Sequence, residues 1–134
     1  MNDMTTRVTA AILMKNDRVL VAQRRDTDKL AGKWEFPGGK IEIHETPEQC
    51  LIREMKEEFD IEVAIGEFFG ASIYHYETGT IQLLAYHTTW KGGSFSLNAH
   101  AAIRWVSLSQ MQDIEFAPAD MPLVEKLQQE CMPT

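Results

Sequence analysis

Residues Gly39 to Ile61 read GKIEIHETPEQCLIREMKEEFDI, and no other stretch restricts the chain as much. Thr46-Pro47-Glu48-Gln49 is a capping box with proline at the first helical position, so a helix begins at Pro47. Leu51, Ile52, Met55 and Phe59 mark an apolar stripe that must pack on a core. Glu54, Glu57 and Glu58 follow at i, i+3 and i+4 and share another stripe, roughly a third of a turn away. One edge of the helix is thus anchored and the other carries three carboxylates. Carboxylates that converge repel one another, and a hard divalent cation among them relieves that repulsion. A solvated surface helix with ordinary charges is the plainer alternative. It leaves the preceding Gly38-Gly39 pair, the lone Glu45 and Arg53 unexplained.

The spacing resembles the Nudix box: glycine, five residues, glutamate, seven residues, then Arg-Glu-apolar-any-Glu-Glu-any-Gly-apolar. The matching positions are Gly39, Glu45, Arg53, Glu54, Met55, Glu57, Glu58 and Ile61. Asp60 departs, standing where the family has the glycine that ends a helix in a left-handed conformation. Asp tolerates that conformation better than most residues, although its charge opposes the helix dipole. The resemblance extends to Val8–Arg24, to Trp34-Glu35-Phe36-Pro37-Gly38-Gly39-Lys40 and to Ala117-Pro118-Ala119-Asp120-Met121-Pro122-Leu123. These segments are similar to MutT-type nucleoside triphosphate pyrophosphohydrolases.

At 134 residues the expectation is a single domain over 1–134, large enough for a proper core. No apolar run is long enough to span a membrane, and the start lacks the pattern of a signal peptide. Cys50 and Cys131 lie far apart, which suits free thiols in a reducing cytoplasm. Cys50 falls on the carboxylate side of the helix, where it reads as a small residue. The net charge of −7 argues against bulk binding to DNA or RNA. It does not exclude nucleotides, because metal ions can sit between protein carboxylates and phosphates.

Arg7–Met14 and Val19–Arg24 read as strands around the turn Lys15-Asn16-Asp17. Asp26–Lys33 reads as a loop and Lys40–Ile43 as a short extended piece. The charged helix runs from Pro47 to Phe59. Ile61–Tyr76 and Thr80–Trp90 are β-rich and joined at Glu77-Thr78-Gly79, a hairpin signature. Lys91-Gly92-Gly93 reads as a further turn, Ile103–Val106 as a strand and Ala119–Cys131 as a closing helix. This order gives an α/β or α+β arrangement. The resemblance implies more, an α/β/α sandwich around a mixed β-sheet.

Cleavage of a phosphoric anhydride needs charge neutralisation, a positioned water and a base. By resemblance, Glu57 and Glu58 hold Mg²⁺ (or Mn²⁺) with the backbone carbonyl of Gly38. Glu54 either joins the metal shell or deprotonates the attacking water, and Arg53 orients Glu54 by a charge-assisted hydrogen bond. Glu45 either completes the acidic shell or braces the loop. Lys40 either reaches phosphate oxygens or is a solvated surface lysine. Arg24 touches phosphate or base, or is likewise only a surface charge. MutT-type members carry a further acid near the late strand. The matching stretch here, Asn98 to Trp105, has none, and His100 is the one possible substitute in it; a lone histidine is more often a surface residue.

Family members place Asn or Asp against the base edge where Asp120 stands. Asp120 could equally cap the last helix. An ionised Asp accepts hydrogen bonds and cannot donate them. It therefore suits guanine, 8-oxoguanine, cytosine or 5-methylcytosine, which offer N–H groups, over thymine. Phe36 and Tyr76 either stack on the base or pack in the core. The leading expectation is a monomeric or homodimeric cytoplasmic enzyme that hydrolyses 8-oxo-dGTP to monophosphate and pyrophosphate. A cytosine nucleotide pyrophosphohydrolase is the second reading. A non-catalytic nucleotide sensor is the third, and retention of Glu45, Glu54, Glu57 and Glu58 weighs against it. Nucleotide-sugar or capped-RNA hydrolysis remains open to such a fold.

Overall fold

The computed structural model describes residues 5–131, the side chain of Cys131 excepted, so the ends of the expected 1–134 domain and any pairing of that thiol lie outside it. Its strands are β1 (Thr5–Lys15), β2 (Arg18–Gln23), β3 (Trp34–Glu35), β4 (Ile61–Tyr76), β5 (Gly79–Gly93) and β6 (Ala102–Ser107). Helix α1 (Pro47–Phe59) follows β3, and α2 (Met121–Cys131) ends the described chain. The strands form one mixed sheet in the order β3-β2-β1-β5-β4, with β6 on β2. Only β1 and β5 run parallel; the other named pairs are antiparallel.

Strand β1 shows why there are two helical layers. Residues Thr9 to Leu13 are buried on both faces. Ala10 and Ile12 join Val19, Val21, Leu123, Val124 and Leu127 in one core, which α2 covers. Ala11 and Leu13 join Leu20, Ala22, Leu51, Met55 and Phe59 in the other, which α1 covers. Alternate residues of a strand point to opposite faces, so one apolar run feeds both cores. Burying a side chain the size of Leu, Met or Phe contributes about 1.5–3 kcal/mol. The stripe Leu51, Met55 and Phe59 therefore fixes α1 firmly. Ile52, expected on that stripe, is 48% exposed and does not belong to it. Cys50 takes the inner place instead.

The helix boundaries follow the sequence reading. Thr46 Oγ1 accepts the Gln49 N–H at 3.1 Å, and Gln49 Oε1 accepts the Thr46 N–H at 2.9 Å. Asp60 caps the C-terminus in the left-handed region, at φ 58° and ψ 37°. The Lys56 ammonium lies 2.9 Å from its carboxylate and offsets the unfavourable charge at the negative helix end. Asn16 and Asp17, with φ of 52° and 62°, make the two-residue hairpin turn between β1 and β2.

Two expectations need correction. Lys91-Gly92-Gly93 is no turn: β5 continues to Gly93, paired with Ile61. Gly93 is there because a Cβ would crowd the Asp60 carbonyl and Ile61, at a φ of 84°. The short extended piece at Lys40–Ile43 meets β1 at its start, where Lys40 bridges to Val8. Residues 108–120 contain two 3₁₀ turns, Leu108–Asp113 and Pro118–Asp120, so α2 begins at Met121 rather than Ala119.

Candidate active site

Strands β1 and β2 pair only near their turn, at Met14–Val19 and Lys15–Arg18, and separate beyond it. The segment Pro37–Ile41 lies along β1 past that point. The N–H groups of Ala11 and Thr9 donate to the carbonyls of Pro37 and Gly39 at 2.7 and 2.8 Å, and the Ile41 N–H donates to Arg7 at 3.0 Å. With the carbonyls of Pro37 and Gly39 turned to β1, the pleat turns the intervening Gly38 carbonyl away from it. Close approach requires glycine at 38, where the neighbour is backbone, and at 39 it seats a side chain. A Cβ on Gly38 would overlap the Thr9 carbonyl, and one on Gly39 would overlap the Glu54 carboxylate.

Arg53 and Cys50 clamp this loop to α1. The Arg53 Nε and Nη2 donate to the two oxygens of Glu45 at 2.7 and 2.9 Å. Nη2 also donates to the Lys40 carbonyl at 3.0 Å, and Nη1 to Glu57 Oε1 at 3.1 Å. Glu54 lies farther off, its Oε1 3.5 Å from Arg53 Nη1. Glu45 Oε1 also accepts the Glu42 N–H at 2.9 Å, so this carboxylate joins the loop to α1. The Arg53 guanidinium, then the Glu42 amide, hold its carboxyl down at about 2. The Cys50 thiol donates to the carbonyls of Gly39 and Lys40 and contacts the Thr9 hydroxyl at 3.3 Å. Burial pushes that thiol up, so it is a packing group and not a nucleophile.

The acidic stripe is only partly gathered. Glu57 turns to Arg53 and is 59% exposed. Among the described residues no three Asp, Glu, His or Cys side chains stand close enough to enclose an ion. Glu54 and Glu58 behave differently. Burial, then the neighbouring glutamates, pushes the Glu58 carboxyl up to about 8. Burial likewise raises Glu54, against the pull of Arg53. Glu54 Oε2 and Glu58 Oε1 are buried with no hydrogen-bond partner. Unpartnered buried carboxylate oxygens, one of them on a residue that lines the same cleft as Gly38, suit a hard cation that takes oxygen ligands. The donor set thus fits Mg²⁺, which when bound would neutralise phosphate charge.

Glu58 and Gly38 also line a cleft of about 930 Å³ together with Arg24, Phe36, Lys40, Tyr76 and Asp120. All five residues expected to meet substrate therefore face one cleft. Trp34 sets its far side: its N–H donates to Glu115 at 2.9 Å and its carbonyl accepts from Ala117 at 2.8 Å. That strap carries Asp120 to the Phe36 amide, whose N–H it accepts at 2.9 Å. Asp120 is buried, and desolvation lifts its carboxyl well above the usual range. Burial thus works against the ionised Asp120 on which the exclusion of thymine rests, while the Phe36 N–H and Arg24 favour it. Phe36 is buried against Phe116 with ring centroids 5.7 Å apart, and the Tyr76 hydroxyl accepts the Ala119 N–H at 3.2 Å. Lys40 is exposed.

The sequence reading missed Glu35. Its Oε1 meets Arg24 Nη1 at 3.0 Å, and its Oε2 meets His100 Nε2 at 2.8 Å. Glu35 and His100 both line the cleft. An acid in the segment just before Gly38-Gly39 was the available signal. His100 was expected at the surface but is 6% exposed.

The model of the NUDIX domain family matches residues 4–127. The chain belongs to the Nudix family of hydrolases. It is similar to the CTP pyrophosphohydrolase of Escherichia coli, 37% identical over 118 residues that cover 88% of this chain and 87% of the relative. It is also similar to the Escherichia coli 8-oxo-dGTP diphosphatase, 32% identical over 84% of this chain and 88% of that protein. Among solved structures, that of the E. coli ORF135 protein superposes with a TM-score of 0.82 at 33% identity, covering 98% of this chain and 96% of the other. The α/β/α sandwich with a mixed sheet is the fold that the resemblance implied.

Proposed function

We propose that this chain is a Mg²⁺-dependent nucleoside triphosphate pyrophosphohydrolase. It adds water across the α–β anhydride and releases a nucleoside monophosphate and pyrophosphate. Mn²⁺ can take the place of Mg²⁺. The observation that carries the reading is the pair of buried, unpartnered carboxylate oxygens on Glu54 and Glu58, the latter opening on the same cleft as Asp120. Glu58 would hold the cation with the Gly38 carbonyl, and Glu57 would join them by turning from Arg53. Glu54, lifted by burial, takes the proton of the attacking water or completes the metal shell. Arg53 and Glu45 hold the loop. Lys40 and Arg24 face phosphates, and Phe36, Tyr76 and Asp120 receive the base.

The substrate we favour is an oxidised guanine nucleotide such as 8-oxo-dGTP, and the cellular role is nucleotide-pool sanitation in support of DNA integrity. The 8-oxo-dGTP diphosphatase relative supports that reading. The CTP pyrophosphohydrolase relative favours a second reading, in which cytosine nucleotides are preferred. The domain works alone, as a monomer or homodimer, on small nucleotides rather than nucleic acid. No helix among the described residues is long and apolar enough to cross a membrane, and a cytoplasmic location is part of the proposal. Turnover of 8-oxo-dGTP and 5-methyl-dCTP side by side tests the choice. A preference of about tenfold for the cytosine form, about 1.4 kcal/mol of transition-state discrimination, would select the second reading.

A further inference from the structure

His100 lies in the stretch Asn98 to Trp105, which holds no acid, and its surroundings explain its presence. Its ring lies flat on Phe59, with centroids 5.2 Å apart and planes 12° apart. Phe59 is itself fully buried, so this stack fixes the ring plane. Nε2 meets Glu35 Oε2 at 2.8 Å, while Nδ1 is buried with no partner. A carboxylate only accepts, so the geometry makes Nε2 the donor of this bond. A buried nitrogen left unpaired needs a reason, and the fixed bond on the other side of the ring supplies one.

Glu35 is the residue so held. Arg24 takes one of its oxygens at 3.0 Å and His100 the other. The Arg24 guanidinium is itself tied back, its Nε donating to the Lys29 carbonyl at 2.7 Å. With a cation on one side and a fixed N–H on the other, the Glu35 carboxylate cannot rotate. Each of its oxygens keeps a second acceptor site, and the residue lines the cleft beside Phe36 and Asp120. Asp120, by contrast, has one partner, the Phe36 amide. Glu35 is thus the member of this pair with two fixed polar contacts.

We propose that His100 is a positioning residue, which with Arg24 locks the Glu35 carboxylate as a fixed hydrogen-bond acceptor for N–H or O–H groups of the bound nucleoside. This rests on the nucleotide reading given above. The late loop then contributes to binding geometry and not a base to the chemical step. A group that contacts substrate equally in ground and transition states changes KM and spares kcat.

Two measurements test it. The first needs no substrate: ¹⁵N-resolved NMR of the His100 ring. An Nε2–H tautomer in the wild type, lost or in rapid exchange in Glu35→Ala, is expected; an Nδ1–H tautomer overturns the lock. The second is steady-state kinetics with 8-oxo-dGTP and 5-methyl-dCTP, with folding checked by circular dichroism. His100→Ala should raise KM about tenfold, the scale of one hydrogen bond to a charged group, and leave kcat within about twofold. His100→Gln, whose amide can donate but cannot act as a base, should restore KM. In a Glu35→Gln background His100→Ala should add little. A fall in kcat that glutamine does not rescue, or full additivity with Glu35→Gln, overturns the proposal. If the wild type hydrolyses no nucleoside triphosphate, the nucleotide reading fails and the acceptor role falls with it, while the NMR result still decides the lock itself.

Discussion

The guanidinium of Arg53 closes on Glu45, not on Glu54: two hydrogen bonds of 2.7 and 2.9 Å join the first pair, while 3.5 Å separates the second. The same group donates to the Lys40 carbonyl. Arg53 thus ties α1 to the loop that presents Gly38 and Gly39, and it acts on the chemistry through that loop. Lysine cannot make the two-pronged contact. Arg53→Lys should lower kcat by tenfold or more, about 1.4 kcal/mol of lost transition-state stabilisation, with a smaller effect on KM. Unchanged kcat would show that the loop holds without the clamp.

Glu57→Gln separates metal binding from folding. The Glu57 side chain is 59% exposed, so its loss should change stability by no more than about 0.5 kcal/mol. Turnover should fall by orders of magnitude, and the Mg²⁺ concentration for half-maximal activity should rise. Thermal melts beside a Mg²⁺ titration check both halves. Full activity in the variant would remove Glu57 from the metal site.

Glu58 makes a pH prediction for the metal-free protein. Its carboxyl is raised from 4.5 to about 8, so between those values the folded state holds a proton that the unfolded state has lost. Stability should therefore decline as pH rises from about 4.5 to 8 and level off above. Glu58→Gln should flatten that slope, and Mg²⁺ should restore stability to the wild type at pH 8 but not to the variant. Chemical denaturation across that window reads all three. A wild-type profile that rises through it would mean that Glu58 is not held in its neutral form.

Much of this was legible in the sequence because it is local. The capping box, the apolar spacing and the turn residues set α1 at Pro47–Phe59, and the same residue spacing carried the family resemblance. Asp60 was readable too, since few residues other than glycine and asparagine adopt its backbone angles. Long-range relationships were hidden. Nothing near His100 in sequence announces Glu35, which is 65 residues away. The divergence of β1 from β2, which makes room for the Gly38-Gly39 loop, depends on tertiary packing. The partial spread of the carboxylates was also invisible, because helical periodicity places Glu57 on the stripe but cannot show that Arg53 draws it off.

Asp120 is both a structural and a recognition group. Removing its carboxyl leaves the buried Phe36 N–H unpaired, which costs about 1–3 kcal/mol. Asp120→Ala should therefore lower the melting temperature and also blur base preference. Asp120→Asn keeps an acceptor for Phe36, so stability should stay near wild type while the ranking of bases changes. An equal loss on every substrate with Asp120→Asn would leave only the structural role.

Gly39→Ala tests the contact between the loop and α1. A methyl group there would overlap the Glu54 carboxylate and displace it. Activity should fall by about a hundredfold or more, in line with the sensitivity of catalytic groups to misplacement by about 1 Å. Near-wild-type kcat would show that Glu54 needs no fixed seat.

The central claim is that a cation held by the acidic edge of α1 serves the hydrolysis of a nucleoside triphosphate. The direct measurement is a hydrolysis panel with and without Mg²⁺ in which products are identified. It would comprise dGTP, 8-oxo-dGTP, dCTP, 5-methyl-dCTP, dTTP and one nucleotide sugar. The account predicts Mg²⁺-dependent release of monophosphate and pyrophosphate, with one base preferred. No turnover of any triphosphate, or turnover of the nucleotide sugar alone, would contradict it.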